Sequence, residues 1–192
     1  YDADDIGVFF GRDADIAACL ERLDRTDLLV IAGSSGSGKS SLARAGIAPA
    51  LRARGRSVAI CVPGHDPVGA FSSAVASGSA TSVVVIDQFE ELFSSPDSTR
   101  EMFQLITDRT ELAPVVICVR ADFVSDISLD PAFARLAEPG LYLVSPLDGD
   151  ALREAIEAPA REAGLRLGEG LVDLLIRDTE GQPGALPLMS HA

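Results

Sequence analysis

Leu28-Leu29-Val30-Ile31-Ala32-Gly33-Ser34-Ser35-Gly36-Ser37-Gly38-Lys39-Ser40-Ser41 is the stretch whose pattern decides the fold. Five apolar residues read as a buried strand, a glycine-rich turn follows, and a helical pattern begins at Lys39. From Gly33 to Ser40 the spacing is G-x-x-x-x-G-K-[ST], the pattern of a loop that wraps phosphate. Each residue type has a chemical reason. Glycines let backbone N–H groups curl around phosphate oxygens without Cβ clashes. Lys39 would reach the β- and γ-phosphates, Ser40 would hold Mg²⁺, and the following helix would add its positive N-terminal end. Ser35, Gly36, Ser37, Gly38 and Ser41 complete the set expected around the phosphates.

A second segment supplies the metal's other ligand. Val83-Val84-Val85-Ile86-Asp87 is an apolar strand ending in an acid, so Asp87 is expected to hold Mg²⁺ through its water shell. ATPases often place a glutamate directly after that aspartate to polarise the attacking water. Here Gln88 stands in that place, and acids return at Glu90 and Glu91. Either could reach back to the γ-phosphate, or both could merely cap or solvate the next helix. The sixteen basic residues comprise fifteen arginines and one lysine, Lys39. A guanine-reading N-K-x-D motif is therefore impossible, which points to ATP or ADP rather than GTP. No L-S-G-G-Q signature is present.

Around these motifs, apolar runs alternate with helical patterns, the mark of an α/β fold with a parallel sheet. Strands are expected at Leu28–Ala32, Ser57–Val62, Val83–Asp87, Pro114–Val119 and Leu141–Val144. A helix capped by Asp13 would line Ile16, Leu20 and Leu23 on one face. Another follows Lys39 and is disturbed at Pro49. Two more cover about Pro67–Ala76 and Thr99–Leu112, the latter with Met102, Phe103 and Ile106 inward. After Ser145-Pro146 no further strand is expected. Asp148 or Asp150 would cap a helix carrying Leu152 and Ile156 that Pro159 ends or kinks, and Leu171, Leu174 and Leu175 mark another. The expected division is an α/β domain over 1–145 and the start of a helical lid over 146–192.

Composition narrows the function further. The chain has 192 residues, 47% hydrophobic and 23% charged, an ordinary globular balance. No apolar run approaches the roughly 20 residues of a membrane span. Its net charge of −13 argues against direct binding of nucleic acid by this segment. Cys19, Cys61 and Cys118 read as buried free thiols in a reducing, cytoplasmic setting. The sequence opens at Tyr1 and closes at His191-Ala192, so it is expected to be part of a longer protein.

Phe9-Phe10-Gly11-Arg12-Asp13-Ala14-Asp15, the phosphate loop, Asp87-Gln88-Phe89-Glu90-Glu91, Arg120-Ala121-Asp122-Phe123 and Ala185-Leu186-Pro187-Leu188 occur in that order. Together they resemble a STAND-class signal-transduction NTPase, specifically the bacterial novel STAND group, related to NACHT and AP-ATPases. The resemblance implies a three-layer P-loop domain with sheet order 5-1-4-3-2 and a partial C-terminal helical lid. It implies that Phe10, Gly11 and Arg12 lie over adenine and ribose, with Asp15 in place of the family's glutamate. It gives Arg120 the role of a γ-phosphate sensor, although Arg120 could instead pair with Asp122 or Asp126. The NACHT-like spacing gives Glu90 and Glu91 the hydrolytic role, and a lid proline, Pro187 or Pro183, would rest against the base. In such proteins ADP holds a closed monomer, and ATP exposes a self-associating surface joined to effector and sensor domains. The expected function is therefore an ATP-binding, slowly hydrolysing regulatory switch, for example in transcription. Two other readings are a nucleotide-locked scaffold without hydrolysis and a metabolic ATPase or kinase.

Overall fold

Alternation along each strand decides the layers, because successive side chains of a strand point to opposite faces. In the computed structural model, which describes residues 11–145, 147, 149–162, 164–168 and 170–179, the strands are β1 (Leu28–Gly33), β2 (Val58–Cys61), β3 (Val83–Ile86), β4 (Val115–Arg120) and β5 (Leu141–Leu143). All pairings are parallel, in the order β5-β1-β4-β3-β2. That is the order the resemblance implies. Four of the five expected strands shift by a residue at one end or both, and the fifth ends one residue early.

Leu28, Val30, Val84, Ile86, Val115 and Ile117 face one side of the sheet. There they meet α4 (Pro67–Ser77), α5 (Pro96–Thr110) and α7 (Pro131–Ala137) through Phe71, Met102, Phe103, Ile106 and Phe133. Leu29, Ile31, Val83, Val85, Val116 and Cys118 face the other side. They pack on α1 (Asp13–Leu23) through Cys19, Leu20 and Leu23, and on Leu42, Ala43, Ile47 and Leu51 of the helix after the phosphate loop. Strands buried on both faces are why their sequences are continuous apolar runs rather than alternating ones.

The helix after the phosphate loop changes its winding as it goes. It is α-helical over α2 (Lys39–Ser41), π-helical over Leu42–Ile47 and α-helical again over α3 (Ala48–Ala53). The Ala48 N–H donates to the Ala43 carbonyl, five residues back. The wider turn accommodates Pro49, which has no N–H and whose ring would crowd the carbonyl four residues before it. The disturbance expected at Pro49 is thus displaced into the preceding turn.

Some local details differ from expectation. Arg12, not Asp13, is the residue preceding α1, and neither supplies a side-chain cap. The short helices α6 (Val124–Ile127) and α7 carry too few residues for a periodic signal, although Asp130 caps α7 by accepting from Ala132 and Phe133 N–H groups at 2.9 Å. Past β5, α8 (Gly149–Glu162) runs through Pro159 rather than ending there. Its Leu152 packs with Val172 and Ile176 of α9 (Leu171–Thr179). Leu171 and Leu174, expected to mark that helix, lie on its exposed side. Among the described residues no helix is long and apolar enough to cross a membrane.

Candidate functional site

In the parallel sheet β1 lies between β5 and β4, and the loops that leave these strands gather beyond their carboxyl ends. This is where open α/β sheets place ligands. Register brings the motifs together there. Gly33 is paired with Arg120, Ile86 with Ile117, and Ala32 with Leu143. The phosphate loop, the end of β3, the end of β4 and the exit from β5 therefore surround one space.

The loop itself is built on two left-handed glycines, Gly36 at φ 73° and Gly38 at φ 88°. Gly38 directly precedes α2, so the turn delivers Lys39, Ser40 and Ser41 onto a helix start. Lys39 is buried, and its Nζ donates to the carbonyls of Gly33 at 3.0 Å and Ser34 at 2.7 Å. Burial holds its pKa below the usual lysine value, while the nearby Glu90 and Asp87 charges pull it back up. The Ser37 hydroxyl is buried and has no hydrogen-bond partner among the described residues. An orphaned hydroxyl in such a loop suits an acceptor-rich ligand such as phosphate.

Asp87 is the most enclosed acid of the site, 2% exposed. Its Oδ1 accepts from the Ser40 hydroxyl at 2.8 Å and from Gln88 N–H at 3.0 Å, and its Oδ2 accepts from Arg44 Nε at 2.8 Å. Two hard oxygen ligands from separate motifs thus touch each other, a donor set that suits Mg²⁺. Among the described residues no cluster of three or more acidic, histidine or cysteine side chains could hold a metal.

Glu90 and Glu91 stand on a 3₁₀ turn, Phe89–Ser94. Gln88 begins it in the left-handed region at φ 56°, and fully buried Phe89 anchors it 5.7 Å from the Phe93 ring and 6.3 Å from the Phe103 ring. The two acids then part. Glu90 Oε2 accepts from the Arg120 N–H at 3.2 Å, beside the phosphate loop, whereas Glu91 Oε2 accepts from Gly64 N–H at 3.0 Å. Arg120 sits at the end of β4 with its guanidinium paired to Asp122 at 3.1 and 2.6 Å and resting over the Phe123 ring at 5.4 Å. Between the two pairings left open for Arg120 without the resemblance, the side chain takes Asp122.

Arg12 is 5% exposed and is not a surface residue. Its guanidinium donates to Asp15 at 2.7 Å, to the Ser145 carbonyl at 2.8 Å and to the Ser37 carbonyl at 3.1 Å. Asp15 in turn accepts from the Tyr142 hydroxyl, and Arg22 covers that ring at 5.0 Å. Gly11, at φ 79°, lies so close to α8 that a Cβ there would stand 2.5 Å from the Ala151 carbonyl oxygen. Arg12 and Gly11 thus tie the phosphate loop to the segment leading into α8. Phe10, Pro183 and Pro187 lie outside the described residues.

The sequence reading missed Arg44, the Ser145 carbonyl and the Asp15–Tyr142 bond. Only Arg44 carried a readable signal. It follows Ser40 by four residues, which places both on one helix face.

Comparison with known proteins agrees with this geometry. No curated protein sequence matches the chain. Among solved structures, Aeropyrum pernix ORC1 in complex with DNA superposes with a TM-score of 0.73 at 18% identity, over 95% of this chain and 58% of that one. Domain III of the Thermotoga maritima replication initiation protein DnaA gives 0.73 at 14% identity, over 100% of this chain and 85% of that one. AMPPCP-bound DnaA from Aquifex aeolicus gives 0.67 at 18% identity, over 99% and 62%. The chain thus spans about three fifths of the ORC1 and Aquifex DnaA structures. At such identities the likeness establishes a shared P-loop ATPase fold. The family model for Novel STAND NTPase 1 matches residues 1–192, and the chain belongs to that family.

Proposed function

We propose that this chain is an ATP-binding, slowly hydrolysing switch module of a multidomain bacterial signalling protein, closed with ADP and open with ATP. One observation carries the reading. The Ser40 hydroxyl and the Asp87 carboxylate, from separate motifs, meet at 2.8 Å beside a glycine loop whose only lysine faces the same space. Ser40 and Asp87 would hold Mg²⁺, which when bound neutralises charge on the β- and γ-phosphates. Lys39 and the loop N–H groups bind phosphate. Glu90, close to both Lys39 and β4, is the residue placed to orient and deprotonate water, and Arg120 would exchange Asp122 for the γ-phosphate. Phe10, Gly11, Arg12 and Pro187 are assigned to the base and ribose by family resemblance alone.

Aquifex DnaA's AMPPCP complex supports nucleotide occupancy of this fold, and the katanin neighbour (TM-score 0.66, 20% identity, 95% of this chain and 68% of that one), described by its self-assembly, supports self-association, which the proposal assigns to the ATP state. Effector and sensor domains outside residues 1–192, and a cytoplasmic setting, belong to the same proposal.

Thermal unfolding tests it. Nucleotide at a hundredfold over Kd contributes about 2.7 kcal/mol, a rise of roughly 5–10 °C in Tm for a chain of this size. Mg-ATP and ADP should give that rise and GTP much less. An equal rise with GTP removes the base preference, and no rise with any of them removes the reading. Gln88 favours one other outcome, a lock that binds without hydrolysis, because no carboxylate directly follows Asp87. Single-turnover hydrolysis separates the two.

A further inference from the structure

The helix face that presents Ser40 continues to Arg44, one turn on and inside the π-helical stretch Leu42–Ile47. Arg44 and Ser40 hold the same carboxylate from two sides. Oδ1 of Asp87 takes the hydroxyl and the Gln88 N–H, and Oδ2 takes Arg44 Nε at 2.8 Å. Both oxygens are therefore occupied by the chain's own donors. Asp87 is 2% exposed and Arg44 28%, so the acid is enclosed while its partner reaches in from the surface.

A carboxylate this enclosed needs a cation near it, since a hydroxyl and an amide supply no compensating charge. Mg²⁺ could be that cation, but Arg44 already is. Around Asp87 the formal charges are Asp87 and Glu90 against Arg44 and Lys39, with Arg120 beside them paired to Asp122, and they balance. A free Mg²⁺ ion would meet no net attraction there. Nucleotide phosphates add negative charge and change that.

We propose that Arg44 is a positioning residue of the metal site: it is the built-in counter-ion of Asp87, it keeps the carboxylate on Ser40 without metal, and it makes Mg²⁺ enter only with nucleotide phosphate. The proposal rests on the nucleotide reading above. Its consequence is an ordered use of metal. With Arg44 and Ser40 holding Asp87, the fold does not depend on Mg²⁺, and the ion becomes a reporter of phosphate rather than a structural part.

The test measures Tm of the full chain in EDTA and in millimolar MgCl₂, without nucleotide and at matched ionic strength, for wild type, Arg44→Gln and Arg44→Lys. Wild type should melt at the same temperature in both buffers. Arg44→Gln should melt lower in EDTA and recover about half of that loss or more with Mg²⁺ alone. Arg44→Lys should lose less and, keeping the charge, should not respond to Mg²⁺. Three results overturn the proposal: wild type stabilised by Mg²⁺ alone, Arg44→Gln as indifferent to Mg²⁺ as wild type, or Arg44→Gln unfolded in both buffers. A merely structural arginine would lower Tm equally with and without the ion. A parallel wild-type melt with Mg-ADP keeps the two readings apart, because its failure removes the nucleotide reading whatever Arg44 does.

Discussion

Replacing Arg12 by alanine removes three charge-assisted hydrogen bonds from a guanidinium that is 5% exposed, at 2.7, 2.8 and 3.1 Å. The Ser37 and Ser145 carbonyls lose their tie, and Asp15 loses its cation. Breaking a buried pair in this way costs about 3–5 kcal/mol. Asp15 is 20% exposed and keeps the Tyr142 hydroxyl, so the lower end applies, about 3 kcal/mol. For a chain of this length each kcal/mol moves Tm by about 2–4 °C, so Arg12→Ala should melt about 6–12 °C below wild type. Arg12→Lys should lose about half as much, because a single ammonium cannot span a fork of three acceptors. The assay is thermal unfolding followed by circular dichroism, with Gly11→Ala beside it. That variant keeps Arg12 but drives a Cβ toward the Ala151 carbonyl from a left-handed backbone, so it should also melt lower. Arg12→Ala melting within about 2 °C of wild type would show that the guanidinium does not brace the loop.

Other expectations concern the acids and the thiols. Glu90→Gln should cut hydrolysis by about 10²-fold or more while sparing ATP binding, and Glu91→Gln should leave turnover nearly intact because its carboxylate holds Gly64; equal rates for all three proteins in single-turnover assays remove this division of roles. Burial pushes the Cys61 thiol up to about 11 from its usual 9.0. The folded state thus holds that proton more tightly, and the resulting stability is complete below pH 9.0 and falls as pH rises toward about 11. Cys61→Ala should flatten that alkaline fall in denaturant titrations, and an unchanged profile contradicts the assignment.

How much of this was legible in the sequence depended on whether the signal was local. The strands were readable because two-sided burial demands unbroken apolar runs, as in Val83–Ile86. The phosphate loop was readable because only glycine adopts the backbone of Gly36 and Gly38 without cost. The strand order came from resemblance, since periodicity does not say which strand lies beside β1. Glu90 and Glu91 looked equivalent in sequence. They diverge because the turn after Gln88 buries Phe89 and points one acid to β4 and the other to Gly64. Arg12 carried only the base contact that the resemblance implied. Its engagement with Ser145, 133 residues away, is a tertiary fact with no local pattern. Pro159 left two outcomes open in the sequence, and α8 continues through it to Glu162 rather than ending there.

Isothermal titration of Mg-ATP into wild type and Lys39→Ala tests the central claim most directly, that the Gly33–Ser40 loop is wrapped around nucleotide phosphate. Lys39 is the chain's one lysine and is already seated among the loop carbonyls. The account predicts saturable binding near one nucleotide per chain for wild type and a loss of about a hundredfold or more in affinity for Lys39→Ala, some 2.7 kcal/mol. Wild type without heat of binding, or Lys39→Ala binding as tightly as wild type, would contradict it.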